Sequence, residues 1–287
     1  MRGPFSTPIT PLPGSLFHAD PQAWEGEPTE FPVEPWIHEG DIWLAADSRI
    51  SMPTEHGRIP TTDAAMKILP ITLRFFQEHE DGGPGMTPTY HSEIAFAWAG
   101  DTQPASATYQ LATSYLKAMH GPAFEKFPTI SDIADMIGRI GARYAGETER
   151  RFEAFVVGQT PHRTGNPPVQ VFKFGCDEAG RLYGPREIDL SQPGSFHLLG
   201  SHKPEISAAI DGGFGGSIEY VPARAIKAVI AADAGSDIGG SIALARVSGG
   251  SVELYPGWRD PDDGLPRPYA DEAIARIGEW RAGGIFG

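Results

Sequence analysis

Cysteine is almost absent from this sequence, and that scarcity is the first of several that exclude whole classes of protein. Cys176 is the single cysteine among 287 residues, so no intramolecular disulfide can form and a reducing, cytoplasmic location is expected. It ends an alternating strand, where a small core or turn residue is the expected role rather than a nucleophile. No run of about 18 apolar residues exists, which predicts no transmembrane helix and no membrane partner. The first eight residues lack the apolar stretch of a secretory signal.

Basic residues are also scarce. The chain has 23 Lys and Arg against 37 Asp and Glu, which gives a formal net charge of −14. A field of that sign repels phosphate backbones, so nucleic acid is not an expected partner. Glycine and proline are abundant, at 35 and 27 residues, and they indicate many turns in an otherwise globular chain.

Periodic apolar positions predict a mixed α+β domain over residues 36–258. Helical spacing predicts helices at 102–119, 131–145, 204–211 and 222–232. Apolar or alternating runs predict strands at 42–46, 65–71, 92–99, 152–158, 169–174, 241–247 and 251–255, with a polar loop at 52–62. Each helix pair must cover one sheet. The expected architecture is therefore a four-layer αββα sandwich of two antiparallel sheets between helical layers.

The two ends of the chain differ from this domain. Residues 1–35 carry eight prolines, which exclude a regular helix or a central strand and predict an extended arm or a propeptide. Residues 259–287 are predicted to form a tail with one short helix at 269–281.

An acid and a base at strand ends are the first candidates for a functional site. Asp47 ends the apolar run 42–46, and Lys67 lies among apolar neighbours twenty residues later. Adjacent strand ends would let the two side chains form a buried ion pair. A desolvated lysine there can help a hydroxyl nucleophile to lose its proton. The alternative is an ordinary strand that ends in a solvated turn.

Other polar groups predict neither a metal nor a cofactor. His79, Glu80, His91 and Glu93 flank a Gly-rich loop, and their spacing fits no familiar set of metal ligands. Residues 260–264 lack the full spacing and the terminal glutamate of a calcium loop.

Several short motifs occur in an order that resembles the proteasome β-type subunits, a family of N-terminal-nucleophile (Ntn) hydrolases. Asp47-Ser48-Arg49 resembles the end of that family's second strand, and Lys67 resembles its active-site lysine. The other matching segments are Ala99-Gly100, Phe155-Val156-Val157-Gly158-Gln159, Gly200-Ser201 and Ile238-Gly239-Gly240. The resemblance covers about residues 36–255 and suggests a divergent, bacterial-type member.

This resemblance implies a threonine-type peptidase or amide hydrolase that needs no cofactor. The hydroxyl of an N-terminal threonine would attack the amide carbonyl, and its own α-amine would act as the base. Counting back from Asp47 reaches Phe31, which has no hydroxyl, and a slightly longer turn places Thr29 at the nucleophile position. Residues 1–28 would then be the propeptide. The implied catalytic set is Thr29, Asp47, Lys67, Gly100, whose N–H would bind the oxyanion, and Ser201.

A catalytically inactive homologue with a structural or assembly role is the alternative. Thr29 follows Pro28, whereas the family's precursors are typically cut between glycine and threonine. Gly235 and Ile238 occupy the positions of the family's Asp-x-x-Ser residues. Purely structural roles are open for Lys67 as an ion-pair partner, Gly100 as a packing residue and Ser201 as a helix N-cap.

The expected partners follow from the same resemblance. The helices carry Ala- and Ile-rich stripes that predict a homo-oligomer, unless they only cover the chain's own sheets. One such stripe is Ala223, Ile226, Ile230 and Ala234. A peptide or another amide is the expected substrate if the chain is active. An ATPase partner is neither indicated nor excluded.

Overall fold

The computed structural model describes most of the chain after residue 32. The described residues are 33–54, 57–77, 88–121, 127–161, 168–176, 181–191, 195–213, 220–232, 238–258, 276–277 and 280–281. Thr29 and the rest of residues 1–32 lie outside them. The domain limits at 36 and 258 stay a prediction.

Strands and four helices make this part of the chain a mixed α+β fold, which confirms the predicted class at that level. The strands are β1 Val33–His38, β2 Asp41–Asp47, β3 Ile50–Thr54, β4 Gly57–Thr62, β5 Ile68–Gln77, β6 Pro88–Gly100, β7 Met119–Gly121, β8 Phe152–Gln159, β9 Val169–Cys176, β10 Leu182–Ile188, β11 Ile242–Ser248, β12 Ser251–Trp258, β13 Arg276–Ile277 and β14 Trp280–Arg281. The helices are α1 Thr102–Leu116, α2 Ile130–Thr148, α3 Lys203–Asp211 and α4 Val221–Ala232.

All four predicted helices are present, although their ends differ from the prediction. α2 begins after Thr129 because Thr129 and Asp132 form a capping box, each side chain accepting from the other's backbone N–H. α3 has His202 as its N-cap, in a left-handed conformation at φ 60 and without a side-chain capping hydrogen bond. The prediction that Ser201 caps this helix is therefore wrong.

A four-stranded antiparallel sheet has the order β1-β2-β11-β12. Pro35 lies within β1, opposite Leu44 of β2. Because β1 is the edge strand of this sheet, the missing N–H of the proline interrupts no internal ladder. Pairing therefore starts at Val33, inside the segment predicted as an irregular arm.

The second large sheet has the order β10-β9-β8-β6-β5-β7. Its neighbouring strands are antiparallel except β5 and β7, which run parallel through Phe75 and Met119. This sheet is therefore mixed at one edge, whereas the prediction was two wholly antiparallel sheets.

Three groups of buried apolar side chains hold these elements together. One combines the six-stranded sheet with α1 and α2, one combines the two large sheets, and one combines the four-stranded sheet with α3 and α4. Representative members are Phe96 with Ile137, Leu44 with Phe155, and Ile226 with Leu244. Cys176 is also buried, as predicted.

Two local predictions are wrong. The segment 52–62 was expected as a loop, but residues 52–54 and 57–62 belong to the paired strands β3 and β4, in which Met52 pairs with Ile59. In the tail, β13 and β14 pair as antiparallel strands where a short helix at 269–281 was predicted. No helix in the described part of the chain has the length and apolar character that crossing a membrane requires.

Candidate functional site

Asp47 and Lys67 form an ion pair that is closed off from solvent. Asp47 is the last residue of β2 and Lys67 directly precedes β5, so the pair joins strand ends from the two large sheets. Lys67 Nζ donates to Asp47 Oδ1 at 2.6 Å, and both side chains are 0% exposed. The predicted contact is confirmed, whereas a role of either residue in catalysis stays a prediction.

The second carboxylate oxygen of Asp47 is held by the backbone. Asp47 Oδ2 accepts from the N–H of Arg49 at 3.1 Å and from the N–H of Gly239 at 3.2 Å. Burial raises the pKa of Asp47, although the charge and hydrogen bond of Lys67 and the two backbone donors act in the opposite direction. Three donors from separate segments therefore fix the orientation of one buried carboxyl group.

Arg49 ties the turn after β2 to two other segments. Its Nε and Nη2 atoms donate to the two carboxylate oxygens of Asp63 at 2.7 and 3.2 Å, and its Nη1 donates to the Ile238 carbonyl at 3.2 Å. The guanidinium occupies the space that a Cβ at Gly239 would need. Glycine at this position therefore lets the backbone approach both Arg49 and Asp47.

Ser48 completes this interlocked turn. Its hydroxyl donates to the Asp63 carbonyl at 2.5 Å and accepts from the Ser241 N–H at 2.8 Å. Gly240 has φ +76, and a Cβ there would collide with the Ser48 hydroxyl and the Asp63 backbone. The close packing of Gly239 and Gly240 against residues 47–49 therefore requires glycine at both positions for steric reasons.

Gly100 is required by packing at the end of β6. Its φ of +100 disfavours other residues, and a Cβ would come within 2.8 Å of the Arg151 carbonyl oxygen and of Phe152 Cα. The next residue, Asp101, donates its N–H to the same carbonyl at 2.8 Å and caps α1 by accepting from the Gln103 N–H at 2.9 Å. The structural interpretation of Gly100 is sufficient for these contacts, and the role of its N–H as an oxyanion donor stays a prediction.

A second buried charged cluster was missed by the sequence reasoning. Glu153 lies on β8, and its side chain is 8% exposed. Its Oε1 accepts from Lys173 Nζ at 2.8 Å and from the Tyr183 hydroxyl at 2.8 Å. Its Oε2 accepts from Lys203 Nζ at 3.1 Å and from the Gly200 N–H at 3.3 Å. We call these five residues the Glu153 cluster.

The Glu153 carboxyl is held in its ionised form. Burial alone would raise the pKa of Glu153, but the charges of Lys173 and Lys203, with the hydrogen bonds it accepts, hold that pKa below its ordinary value. A signal for the pair was present in the sequence. β8 carries one acidic residue and β9 one lysine among mostly apolar neighbours, and opposite charges on consecutive strands of a hairpin favour a cross-strand pair.

The Asp47–Lys67 ion pair and the Glu153 cluster both lie next to the start of β1. Val33 pairs with Ala46, the neighbour of Asp47. Val33 also exchanges two backbone hydrogen bonds with Leu199, at 3.3 and 2.9 Å, directly before the Gly200 that binds Glu153. The chain that precedes Val33 therefore joins the described structure between the ion pair and the Glu153 cluster.

The structure brings some predicted site residues together and leaves one undescribed. Asp47 and Lys67 are in direct contact. Gly100 lies two residues after Trp98, whose N–H donates to the Lys67 carbonyl at 3.0 Å. Ser201 directly follows the glycine that binds Glu153. Thr29, the predicted nucleophile, lies outside the described residues.

Metal binding stays untested. Within the described ranges, no three His, Cys, Asp or Glu side chains are grouped as metal ligands would be. His79, Glu80 and the 260–264 segment lie outside those ranges, so the expectation that no metal or cofactor is bound stays a prediction.

The comparisons with known proteins concern the fold of this chain. The chain matches no family model and no curated protein. Among solved structures it is similar to Anbu from Hyphomicrobium sp. strain MC1, with 15% identity, a TM-score of 0.52, and coverage of 87% of this chain and 99% of that one. A Gly-1 mutant of Anbu from the same strain has 14% identity, a TM-score of 0.50, and coverage of 76% and 82%. Anbu (ancestral beta-subunit) from Yersinia bercovieri has 9% identity, a TM-score of 0.48, and coverage of 75% and 80%.

These comparisons correct the family suggested by the sequence. The matching structures are Anbu proteins, a proteasome-related but distinct Ntn-like family, so the assignment to proteasome β-subunits is wrong. At such low identity the likeness concerns the fold alone. The motifs behind the assignment are two to five residues long, and several meet local steric needs, as at Gly100 and Gly239. Such motifs indicate a fold and do not identify a family.

Proposed function

We propose that the two large sheets and the four helices form a four-layer αββα sandwich, and that this sandwich supports an Ntn-type amide hydrolase site. The three buried clusters support the layer order, because each combines a different pair of adjacent layers. α1 and α2 pack on the six-stranded sheet, and α3 and α4 pack on the four-stranded sheet. The ion pair then lies at the junction of the two inner layers.

The fully buried Asp47–Lys67 pair is the observation that carries the hydrolase proposal. Desolvation of two charges offsets most of their attraction, so such a pair adds little net stability over apolar residues of similar size. Its presence beside the start of β1 favours a chemical role. That position is where a chain carrying an N-terminal nucleophile would enter the site.

In the proposed reaction, cleavage after Pro28 makes Thr29 the N-terminal residue. Its hydroxyl oxygen adds to the substrate carbonyl while the hydroxyl proton passes to its own α-amine. The amine then gives that proton to the leaving nitrogen, and water hydrolyses the resulting ester. Lys67, oriented by Asp47, stabilises negative charge on the attacking oxygen, and the Gly100 N–H binds the oxyanion. Ser201 stays in the proposed set because it lies beside the start of β1.

A non-catalytic structural or assembly protein is the second candidate, and the hydrogen bonds of Asp47 favour it. The same carboxylate that binds Lys67 also holds the backbone of Arg49 and Gly239. The pair therefore has a structural use in joining β2 to the segment before β11, even if no nucleophile is ever released.

The mass of the purified chain separates the two candidates. A mature chain that starts at Thr29 supports the hydrolase, whereas a full-length chain of 30.9 kDa supports the assembly protein. An epoxyketone, which reacts with an N-terminal threonine, should label the mature wild type and not Thr29→Ala. Peptide-amide substrates should be hydrolysed by the wild type alone.

Lysine variants show whether the ion pair takes part. Lys67→Met should abolish labelling and turnover, whereas Lys117→Met, at the exposed end of α1, should leave both unchanged. A full-length wild type that is neither labelled nor active, under conditions in which a proteasome control reacts, would rule out the hydrolase.

A further inference from the structure

The Glu153 cluster contains more positive than negative charge. Two ammonium groups bind the two oxygens of one carboxylate, and Arg186 adds a third cation with its guanidinium 5.4 Å from the ring centroid of Tyr183. Tyr183 itself donates to Glu153. The two ammonium groups of the cluster exceed its single carboxylate by one positive charge, and Arg186 adds another cation beside it.

The acidic neighbour of Arg186 has a different partner. Glu187 is the next residue on β10, so its side chain lies on the other face of the sheet, where it accepts from Gln170 Nε2 at 2.8 Å. Burial and the charge of Lys173 lower the pKa of His197, so the positive potential of this ammonium extends beyond Glu153. In a chain with a net charge of −14, such a positive region is unusual.

The cluster is also reachable from solvent on its cationic side. The side chains of Lys173 and Lys203 are 21% and 35% exposed, whereas that of Glu153 is 8% exposed. Arg186 is exposed on β10, an edge strand of the six-stranded sheet. An incoming anion would therefore meet the ammonium and guanidinium groups before it met the carboxylate.

We propose that Lys173, Lys203 and Arg186 form a binding site for a carboxylate group, which would share the two lysines with Glu153. A carboxylate ligand would accept from the ammonium groups and would offset the excess positive charge. The site lies beside the start of β1, where the proposed nucleophile would enter. The bound carboxylate would therefore belong to the substrate. This last step rests on the proposed hydrolase, and it makes the preferred substrate an amide that carries a carboxylate group.

Binding can be measured without any hydrolysis. Three probes distinguish the sources of the carboxylate: N-acetylglutamate α-amide has an acidic side chain, N-acetylglycine has a terminal carboxylate, and N-acetylglutamine α-amide is the neutral match. At low salt, calorimetry or NMR titration should show at least one acidic probe binding about tenfold or more tightly than the neutral one. Equal binding of all three probes would overturn the site.

Charge variants locate the bound carboxylate. Lys203→Gln and Lys173→Gln should each weaken binding of the acidic probe about tenfold, because each removes one charge-assisted hydrogen bond. Lys117→Gln changes the net charge equally at a distant exposed position and should bind like the wild type. Equal weakening in all three variants would show a general charge effect and would overturn the site.

Glu153→Gln separates binding from a purely structural role. Glu153 competes with the ligand for the lysines, so its neutralisation should tighten binding of the acidic probe. Unchanged or weaker binding in a folded Glu153→Gln variant would contradict the proposal. If this variant fails to fold, the comparison of Lys203→Gln with Lys117→Gln decides.

The binding test also keeps the two proposals apart. Carboxylate binding by a chain without amidase activity supports the site and removes the hydrolase. Hydrolysis of acidic and neutral amides at equal efficiency, with no binding of the acidic probes, removes the site and leaves the hydrolase.

Discussion

At the level of single residues, loss of Lys67 is expected to destabilise the folded chain. Lys67→Met keeps an unbranched side chain that lacks only the terminal ammonium group in length, and it leaves the Asp47 carboxyl buried without its cation. Breaking a buried ion pair on one side costs about 3–5 kcal/mol. We expect the free energy of unfolding, measured by urea denaturation at pH 7, to fall by about that amount.

The control for this prediction is an exposed lysine. Lys117→Met removes the same charge at the end of α1 and should change the free energy of unfolding by no more than about 0.5 kcal/mol. The double variant Asp47→Asn with Lys67→Met should recover part of the loss, since no charge is then buried alone. A loss for Lys67→Met no larger than for Lys117→Met would contradict the prediction.

Glu153→Gln is expected to flatten the loss of stability in acid. Although burial opposes it, the charges of Lys173 and Lys203 lower the pKa of Glu153 in the folded chain, so its ionised form stabilises the fold above the ordinary glutamate pKa of about 4.3. This contribution is lost as the pH falls through the lower pKa of the folded state. Melting temperatures below about pH 4.3 should therefore fall less steeply in Glu153→Gln than in the wild type.

An exposed glutamate provides the comparison for the pH profile. Glu147 pairs with Arg143 on the surface of α2 and is 52% exposed, so Glu147→Gln should follow the wild-type profile. Parallel profiles for the wild type and Glu153→Gln would show that Glu153 does not contribute to the acid transition.

Residue partners could be predicted only where strand ends carry a recognisable pattern. Asp47 and Lys67 each adjoin an apolar strand, and burial of both strands requires the two charges to pair. The partners of Glu153 come from β9, β10, the segment before α3 and the first residue of α3, up to 50 residues away. These partners meet Glu153 only because of the order of strands in the sheet, and the spacing of residues along the sequence does not determine that order.

At the level of elements, replacing glycine with alanine in α2 is expected to change the free energy of unfolding in opposite directions at two positions. Gly146 is exposed, and a Cβ there meets nothing within 4 Å, so Gly146→Ala should raise the free energy of unfolding by about 0.5–1 kcal/mol. A Cβ at Gly141 would lie 2.9 Å from atoms of Phe152 and Phe174, which predicts destabilisation by about 1–3 kcal/mol for Gly141→Ala.

Thermal and urea unfolding of these two variants would test how α2 packs on the six-stranded sheet. Gly138→Ala should behave like Gly141→Ala, because its Cβ would come within 2.8 Å of Pro185. A stabilising Gly141→Ala would mean that α2 does not contact the sheet as closely as the structure shows.

Helices were easier to predict than short strands for a physical reason. The stripe of α2 that includes Ile133 and Ile137 repeats along most of the helix and faces a buried sheet, so its period is clear. The β3–β4 hairpin forms its own two-stranded sheet and exposes Met52 and Ile59. With Met52 and Ile59 exposed, the hairpin lacks the alternation of buried apolar residues by which a strand is recognised.

At the level of the whole molecule, the sequence predicted the mixed α+β class but not the family. Each helix pair packs on a sheet whose strands come from both sides of that pair in the chain, and local apolar periods do not determine such pairing. The apolar stripe used to predict association has a different use. Ala223 and Ile226 are 0% exposed because α4 packs on the four-stranded sheet, so they are not available to a second copy.

Homo-oligomerisation therefore remains a prediction with a different candidate surface. Met52 and Ile59 are cross-strand partners in the β3–β4 hairpin, and they are 58% and 56% exposed. Burying this apolar pair against a second copy would release both side chains from water.

We expect light scattering at micromolar concentration to give a mass above 30.9 kDa for the wild type. The double variant Met52→Ser with Ile59→Ser should shift that mass towards the monomer. Leu182→Ser, which alters an apolar residue 48% exposed on β10, should not. A wild-type chain that stays monomeric at these concentrations would leave the hairpin without this role, and unchanged assembly of the double variant would place the interface elsewhere.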